Sequence, residues 1–321
     1  MNFPVFDLHC DTAFAMLGHN GAQNKSLRCN DLHIDLQRAA SLSGYCQCFA
    51  CFTTPYMEKW GAGRAQDIFD RELRGILFAL EENKDCIRKI TDPSDIESNR
   101  EEGFMSAVLT IEGPAGFDYD AGRLAELYEL GFRMTTLGWN ESNPLAGSHK
   151  TGGGLTPKGK DFVKTAQELG MLIDVSHISD EAFWDIMDIT QGPIVASHSN
   201  SRRVWDVSRN ITDDMFAAIC RTGGIVGLNQ YTDFIGKDAD IYGACRHILH
   251  FLEMDPQGKH IALGGDLDGC DALPRGIEGI QDYPKIAQAL GDLGVTDEII
   301  MNIFWRNAIG VMEDAVRNHQ K

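Results

Sequence analysis

Gly170-Met171-Leu172-Ile173-Asp174-Val175-Ser176-His177 and, one helix length later, Pro193-Ile194-Val195-Ala196-Ser197-His198 are two apolar runs that each end in histidine. Both are short, nearly continuous and rich in Ile and Val, the pattern of strands buried on both faces. Between them, residues 179–187 open on Ser179 with Glu181 close behind, a helix-start signal. Strand, helix, strand in this order predicts two parallel strands joined by a right-handed crossover.

The unit recurs along the chain. Runs with strand character fall at 5–9, 45–52, 106–112, 132–137, 171–176, 193–198, 224–229 and 260–266. Helical patterns separate them: residues 67–83 carry Ile68, Leu73, Ile76, Leu77 and Leu80 at helical spacing, and 212–220 open on Thr212-Asp213-Asp214, whose charges suit a helix N-terminus. Eight such units in 321 residues predict an α/β fold, a closed (β/α)8 TIM barrel, forming one domain over residues 1–321. An open doubly wound sheet is the alternative, but its G-x-G-x-x-G signature after the first strand is absent.

Composition narrows the function. With 29 Lys+Arg against 47 Asp+Glu, the formal net charge is −18, which argues against a nucleic-acid partner and against an anionic membrane surface. An acidic substrate would need a locally positive site, such as a metal centre or a placed arginine. The start, Met1-Asn2-Phe3-Pro4-Val5-Phe6-Asp7, lacks a basic and apolar leader pattern, and no apolar run approaches the roughly 18 residues of a membrane span. Nine scattered cysteines do not suggest a disulfide framework. A soluble cytoplasmic protein is expected.

Three local patterns compete for attention. Cys46, Cys48 and Cys51 could offer three thiolates to zinc, although Phe49 and Phe52 in the same run favour a buried strand using cysteine as a small hydrophobe. Gly154-Leu155-Thr156-Pro157-Lys158-Gly159-Lys160-Asp161 resembles a phosphate loop, but Asp161 stands where Ser or Thr is needed and would repel phosphate. Thr156-Pro157 reads better as a helix cap followed by proline at the first helical position, with Gly152-Gly153-Gly154 as a loop before it and no strand leading in. His247 and His250, among Ile248, Leu249, Phe251 and Leu252, belong to an outer helix.

The ionisable residues at the strand ends are more telling. His9 and Asp11 close the first strand as an i, i+2 pair on one face. Glu112, His177, His198 and Asp266 end four others. All six arrive at the C-terminal rim of one barrel, where barrel enzymes place their chemistry. Three imidazoles and three carboxylates in a narrow mouth are costly without compensating positive charge, which a divalent metal supplies. Imidazole with carboxylate suits zinc or a similar ion, and five ligands suit two metals about 3.5–4 Å apart rather than one. That is hydrolytic chemistry.

At these residues the sequence resembles the membrane dipeptidase (renal dipeptidase) family of zinc metallopeptidases in the amidohydrolase superfamily. The matching stretches are Asp7-Leu8-His9-Cys10-Asp11-Thr12, Ile111-Glu112-Gly113, the run from Gly170 to His177, Ala196-Ser197-His198-Ser199-Asn200, Ser208-Arg209-Asn210 and Gly264-Gly265-Asp266-Leu267-Asp268-Gly269. The resemblance implies two Zn2+ ions, with His9 and Asp11 on one, His177 and His198 on the other, and Glu112 bridging. It implies a dipeptide substrate attacked by a hydroxide shared between the ions, Asp266 as general acid/base, and Arg209 on the substrate's terminal carboxylate, with Arg202 and Arg203 as nearby alternatives. Asp268 is expected to steady its loop. Relatives are often dimers, so a homodimer is possible. One position departs: where the family carries a substrate-contacting His, this chain has Trp139 in Thr136-Leu137-Gly138-Trp139-Asn140. That leaves room for N-acyl amino acid deacylation or lactone opening on the same metals. A catalytically silent metal-bound scaffold is a third reading, against which Asp266 and Arg209 argue, since such a role needs neither.

Overall fold

Eight short strands close on one another in the computed structural model, which describes residues 3–17, 25–237 and 239–319. They are β1 (Val5–Cys10), β2 (Tyr45–Phe52), β3 (Met105–Glu112), β4 (Phe132–Thr136), β5 (Leu172–Asp174), β6 (Ile194–Ala196), β7 (Ile225–Leu228) and β8 (Ile261–Leu263). All pair in parallel in chain order, and the ring closes with Asp7 of β1 opposite Leu263 of β8. A short strand, Ile87–Lys89, adds to the start of β3. The fold is the (β/α)8 barrel that the alternating pattern predicted.

Phe6, Leu8, Cys46, Cys48, Val108, Met134, Leu172, Val195, Ile225 and Ala262, drawn from all eight strands, fill the barrel as one buried cluster. Trp305, Ala308, Val311 and Met312 close it from the N-terminal end. Strict alternation would aim Cys10 inward with Phe6 and Leu8. Instead the register slips between Asp7 and Cys10, so Cys10 joins the outer core. Such an irregularity re-aims side chains at a barrel rim, and here it frees His9 and Asp11 for the mouth.

Several elements end by side-chain capture. β5 and β6 are three residues each, shorter than predicted, because the Asp174 carboxylate takes the backbone N–H groups of Ser176 and Ser197, both at 2.9 Å. Ser179, Thr212 and Thr156 cap their helices as expected, accepting from the N–H groups of Ala182, Met215 and Gly159. Contrary to expectation, a strand does lead into the Thr156 helix: Gly152–Leu155 pairs with Ala146–Ser148 in an antiparallel hairpin. Cys46 and Cys48 face the barrel interior while Cys51 faces the outer core, so their thiols do not converge. Burial pushes all three well above the usual thiol range. Among the described residues no helix is long and apolar enough to cross a membrane.

Asp7 ties this frame together. Fully buried, its carboxylate accepts from the N–H of His9 (2.9 Å) and of Gly265 (3.0 Å), and from the Tyr283 hydroxyl. It therefore joins the end of β1 to the loop that carries Asp266. Removing it leaves several buried donors without an acceptor. Asp7→Ala is expected to cost about 3 kcal/mol, read as a lower urea midpoint at unchanged slope.

Candidate metal centre

The six rim residues converge, all of them at most 9% exposed. Glu112 lies in the middle. Its Oε2 is 3.4 Å from His9 Nε2, and its Oε1 is 3.0 Å from His177 Nε2 and 3.8 Å from His198 Nε2. His9 Nε2 is also 3.6 Å from Asp11 Oδ2 and 3.9 Å from Asp266 Oδ1. His9, Glu112 and His198 offer ligand atoms all within 4.8 Å of one another, as do His9, Asp11 and Asp266. His177 joins through Glu112 and through His198, whose Nε2 is 2.9 Å from its own.

Hydrogen bonds fix what those nitrogens carry. His177 Nδ1 is 3.0 Å from Asn140 Oδ1, which can only accept, so the ring proton is on Nδ1. His198 Nδ1 is 2.6 Å from Ser197 Oγ, whose own proton goes to Asp174 Oδ2. Both Nε2 atoms thus present lone pairs, aimed at each other and at a carboxylate oxygen. Two lone pairs at 2.9 Å repel unless a cation lies among them. Orientation of a ligating imidazole through its second nitrogen is how protein metal sites are commonly built. Burial, then the charge of Arg209 among other neighbours, holds His177 and His198 well below the usual histidine value, in the neutral form a metal needs. His9 behaves oppositely: burial opposes its protonation, yet Glu112 and Asp11 raise it well above the ordinary range. Burial, reinforced by Asp11, lifts Glu112 to about 8. His9 Nε2 and Asp11 Oδ1 are buried without a hydrogen-bond partner. The donor set and its orphaned atoms fit divalent metal.

Backbone strain marks the same residues. His177 (φ 73°) and Asp266 (φ 58°) adopt the left-handed region that non-glycine residues seldom enter, and such outliers concentrate at functional sites. Gly269 passes so close that a Cβ would stand 2.0 Å from Asp11 Oδ2 and 2.5 Å from Asp266 Oδ1, so only glycine completes Asp-x-Asp-Gly here.

The remaining candidates separate cleanly. Arg209 is buried; its Nη1 donates to Ser199 Oγ at 2.8 Å, while Nε and Nη2 lack partners. Arg202 is committed to Asp180. Asp268 accepts from Thr12 Oγ1 and from the His33 N–H, both at 2.6 Å, and so fastens its loop to the segment after β1. Trp139 is half-buried, its ring centroid 6.1 Å from that of His177. His247 is a satisfied core residue, bonded to the Ser201 N–H and the Ile235 carbonyl, and His250 pairs with Asp213.

Four supporting residues escaped sequence reasoning: Asn140 behind His177, Asp174 behind His198, Ser199 beside Arg209, and Asn229, whose Nδ2 donates to Asp266 Oδ2 at 3.0 Å. An aspartate inside an apolar strand was the visible signal for Asp174. The others had none. His149 is drawn in as well, its Nε2 2.8 Å from Asn140 Oδ1 and its Nδ1 3.0 Å from Ser208 Oγ.

Comparison with known proteins bears on the family and the fold. The family model described as membrane dipeptidase (peptidase family M19) matches residues 1–321. An uncharacterized dipeptidase of Schizosaccharomyces pombe is 34% identical over 236 residues, 70% of this chain and 56% of the relative. A second from the same organism is 33% identical over 214 residues, 64% of this chain and 52% of the relative. The matches thus span about half the length of these two relatives. A Rhodobacter sphaeroides metallopeptidase, solved with a phosphinate mimic of the dipeptide L-Ala-D-Ala, superposes with a TM-score of 0.85 at 23% identity, covering 98% of this chain and 100% of that one. The probable dipeptidase PvdM of Pseudomonas aeruginosa superposes at 0.88 with 17% identity, covering 98% and 96%.

Proposed function

Because the chain belongs to the membrane dipeptidase family, peptidase family M19, we propose that it hydrolyses the peptide bond of small dipeptides at a binuclear zinc site. His9, Asp11 and Glu112 would hold one ion, and Glu112, His177 and His198 the other. The observation that carries this reading is the 2.9 Å approach of two imidazole lone pairs beside one carboxylate, which a cation relieves. When bound, such ions supply an activated water and polarise the scissile carbonyl.

The chain's own groups supply the rest. Asp266 accepts the attacking water's proton at Oδ1, the oxygen facing His9, and delivers it to the departing amine. Arg209 offers Nε–H and Nη2–H, a fork that matches a terminal carboxylate in two parallel bonds. That fork explains how a chain of net charge −18 holds an acidic ligand. Trp139 can donate one hydrogen bond but cannot become cationic, so it contributes shape more than charge.

A substrate panel tests the reading. Zinc-loaded protein is expected to cleave Ala-Ala at least about 100-fold faster than N-acetylalanine, and amidation of the dipeptide's carboxyl group should lower kcat/KM by about 100-fold or more, because Arg209 loses its partner. A preference for the N-acyl substrate would reassign the enzyme as a deacylase.

A further inference from the structure

Resting on the dipeptidase reading, we propose that Trp139 and Trp60 form two walls of a subsite for a large apolar, preferentially aromatic, side chain on the residue amino-terminal to the cleaved bond. Trp139 stands between the candidate metal centre and solvent: 6.1 Å from the His177 ring on one side, it meets Trp60 at 5.4 Å on the other. The two indoles are inclined at 85°, so their faces form a corner rather than a stack. Phe52 backs Trp139 at 5.4 Å, and Phe14 meets Phe52 edge-on at 5.6 Å. Trp60 nonetheless keeps 48% of its surface exposed. An indole left in water at the mouth of a catalytic barrel, against a second half-buried indole, is an apolar surface without a covering group.

The barrel's order says which end of the substrate reaches this corner. Phe14 follows β1, Phe52 ends β2 with Trp60 in the loop after it, and Trp139 follows β4, along one arc of the rim. Arg209 follows β6 and lies near Phe234, which follows β7, on the opposite arc. The six converging donors lie between. A dipeptide whose carboxylate is held by Arg209 and whose scissile carbonyl lies over the donors must extend its first residue toward the aromatic arc. Thr54, donating to buried Glu141 at 3.0 Å, ties the loop after β2 to the loop after β4 and holds the two walls together.

The experiment compares kcat/KM for Phe-Ala against Gly-Ala, and for Ala-Phe against Ala-Gly, in the zinc-loaded full chain and in Trp60→Ala and Trp139→Phe. Wild type should favour Phe-Ala over Gly-Ala by about tenfold or more, and Trp60→Ala should erase most of that ratio. The Ala-Phe to Ala-Gly ratio should move by less than about twofold, since that side chain lies on the Arg209 side. Trp60→Tyr, which keeps an aromatic face, should restore most of the preference. A Phe-Ala to Gly-Ala ratio unaltered in both Trp60→Ala and Trp139→Phe overturns the subsite while leaving the dipeptidase reading intact. A change confined to the Ala-Phe pair overturns its assignment to the first residue. Absence of cleavage of all four dipeptides by wild type removes the parent reading and the subsite with it.

Discussion

Asp266→Asn is expected to lower kcat for dipeptide hydrolysis by about 10^2–10^4-fold, the usual contribution of a placed general acid/base, while metal content stays at the wild-type level. The argument is geometric. One carboxylate oxygen is fixed by Asn229, which also donates to the His198 carbonyl at 3.2 Å, and the other faces His9. The left-handed backbone at Asp266 holds it over the mouth. Burial, with Asp11 adding and His9 and Arg209 opposing, pushes its carboxyl up to about 6, within reach of a proton exchange near neutrality. Asparagine preserves shape and can still accept from Asn229, but it cannot carry the proton. Metal analysis beside steady-state kinetics decides the matter. If the variant loses metal in step with activity, Asp266 is a ligand; if kcat is unchanged, it is neither.

Removal of metal is expected to abolish turnover altogether, with zinc restoring it and raising the melting temperature. Without a cation, the facing lone pairs of His177 and His198 and the oxygens of Glu112 repel within a buried space. Burial, with Asp11 beside it, also raises Glu112 to about 8, so its negative charge too lacks a sufficient counter-charge there. Ions that bind only the folded chain stabilise it by mass action, about 4 kcal/mol at a thousandfold excess over Kd. Dialysis against a strong chelator, followed by calorimetry and assay before and after zinc, provides the measurement. Full activity in verified metal-free protein would sink the proposal.

Much of this could be read from the chain because the signals were local. Ile and Val runs ending in His177 and His198, with a capped helix between, define a βα unit without reference to anything distant. Strand order then follows from parallel pairing through right-handed crossovers, and with it the meeting of His9, Glu112 and Asp266. What sequence did not yield depends on contacts across the barrel. The slip in β1 answers to its pairing with β2 and β8. β5 and β6 are truncated by one carboxylate acting on both. Asn140 matters only because the loop after β4 returns to His177. Trp60 carries no motif; its place beside Trp139 is set by how the loop after β2 folds over the mouth.

The clasp that Asp174 makes on Ser176 and Ser197 has one more effect. By gripping both neighbouring backbones, it sets the separation of the adjoining imidazoles before any ion arrives. The ordering entropy of gathering these two ligands is therefore spent during folding, not during ion capture. Loosening that grip would leave both histidines in place and still weaken their hold, because each would have to be immobilised anew at every encounter.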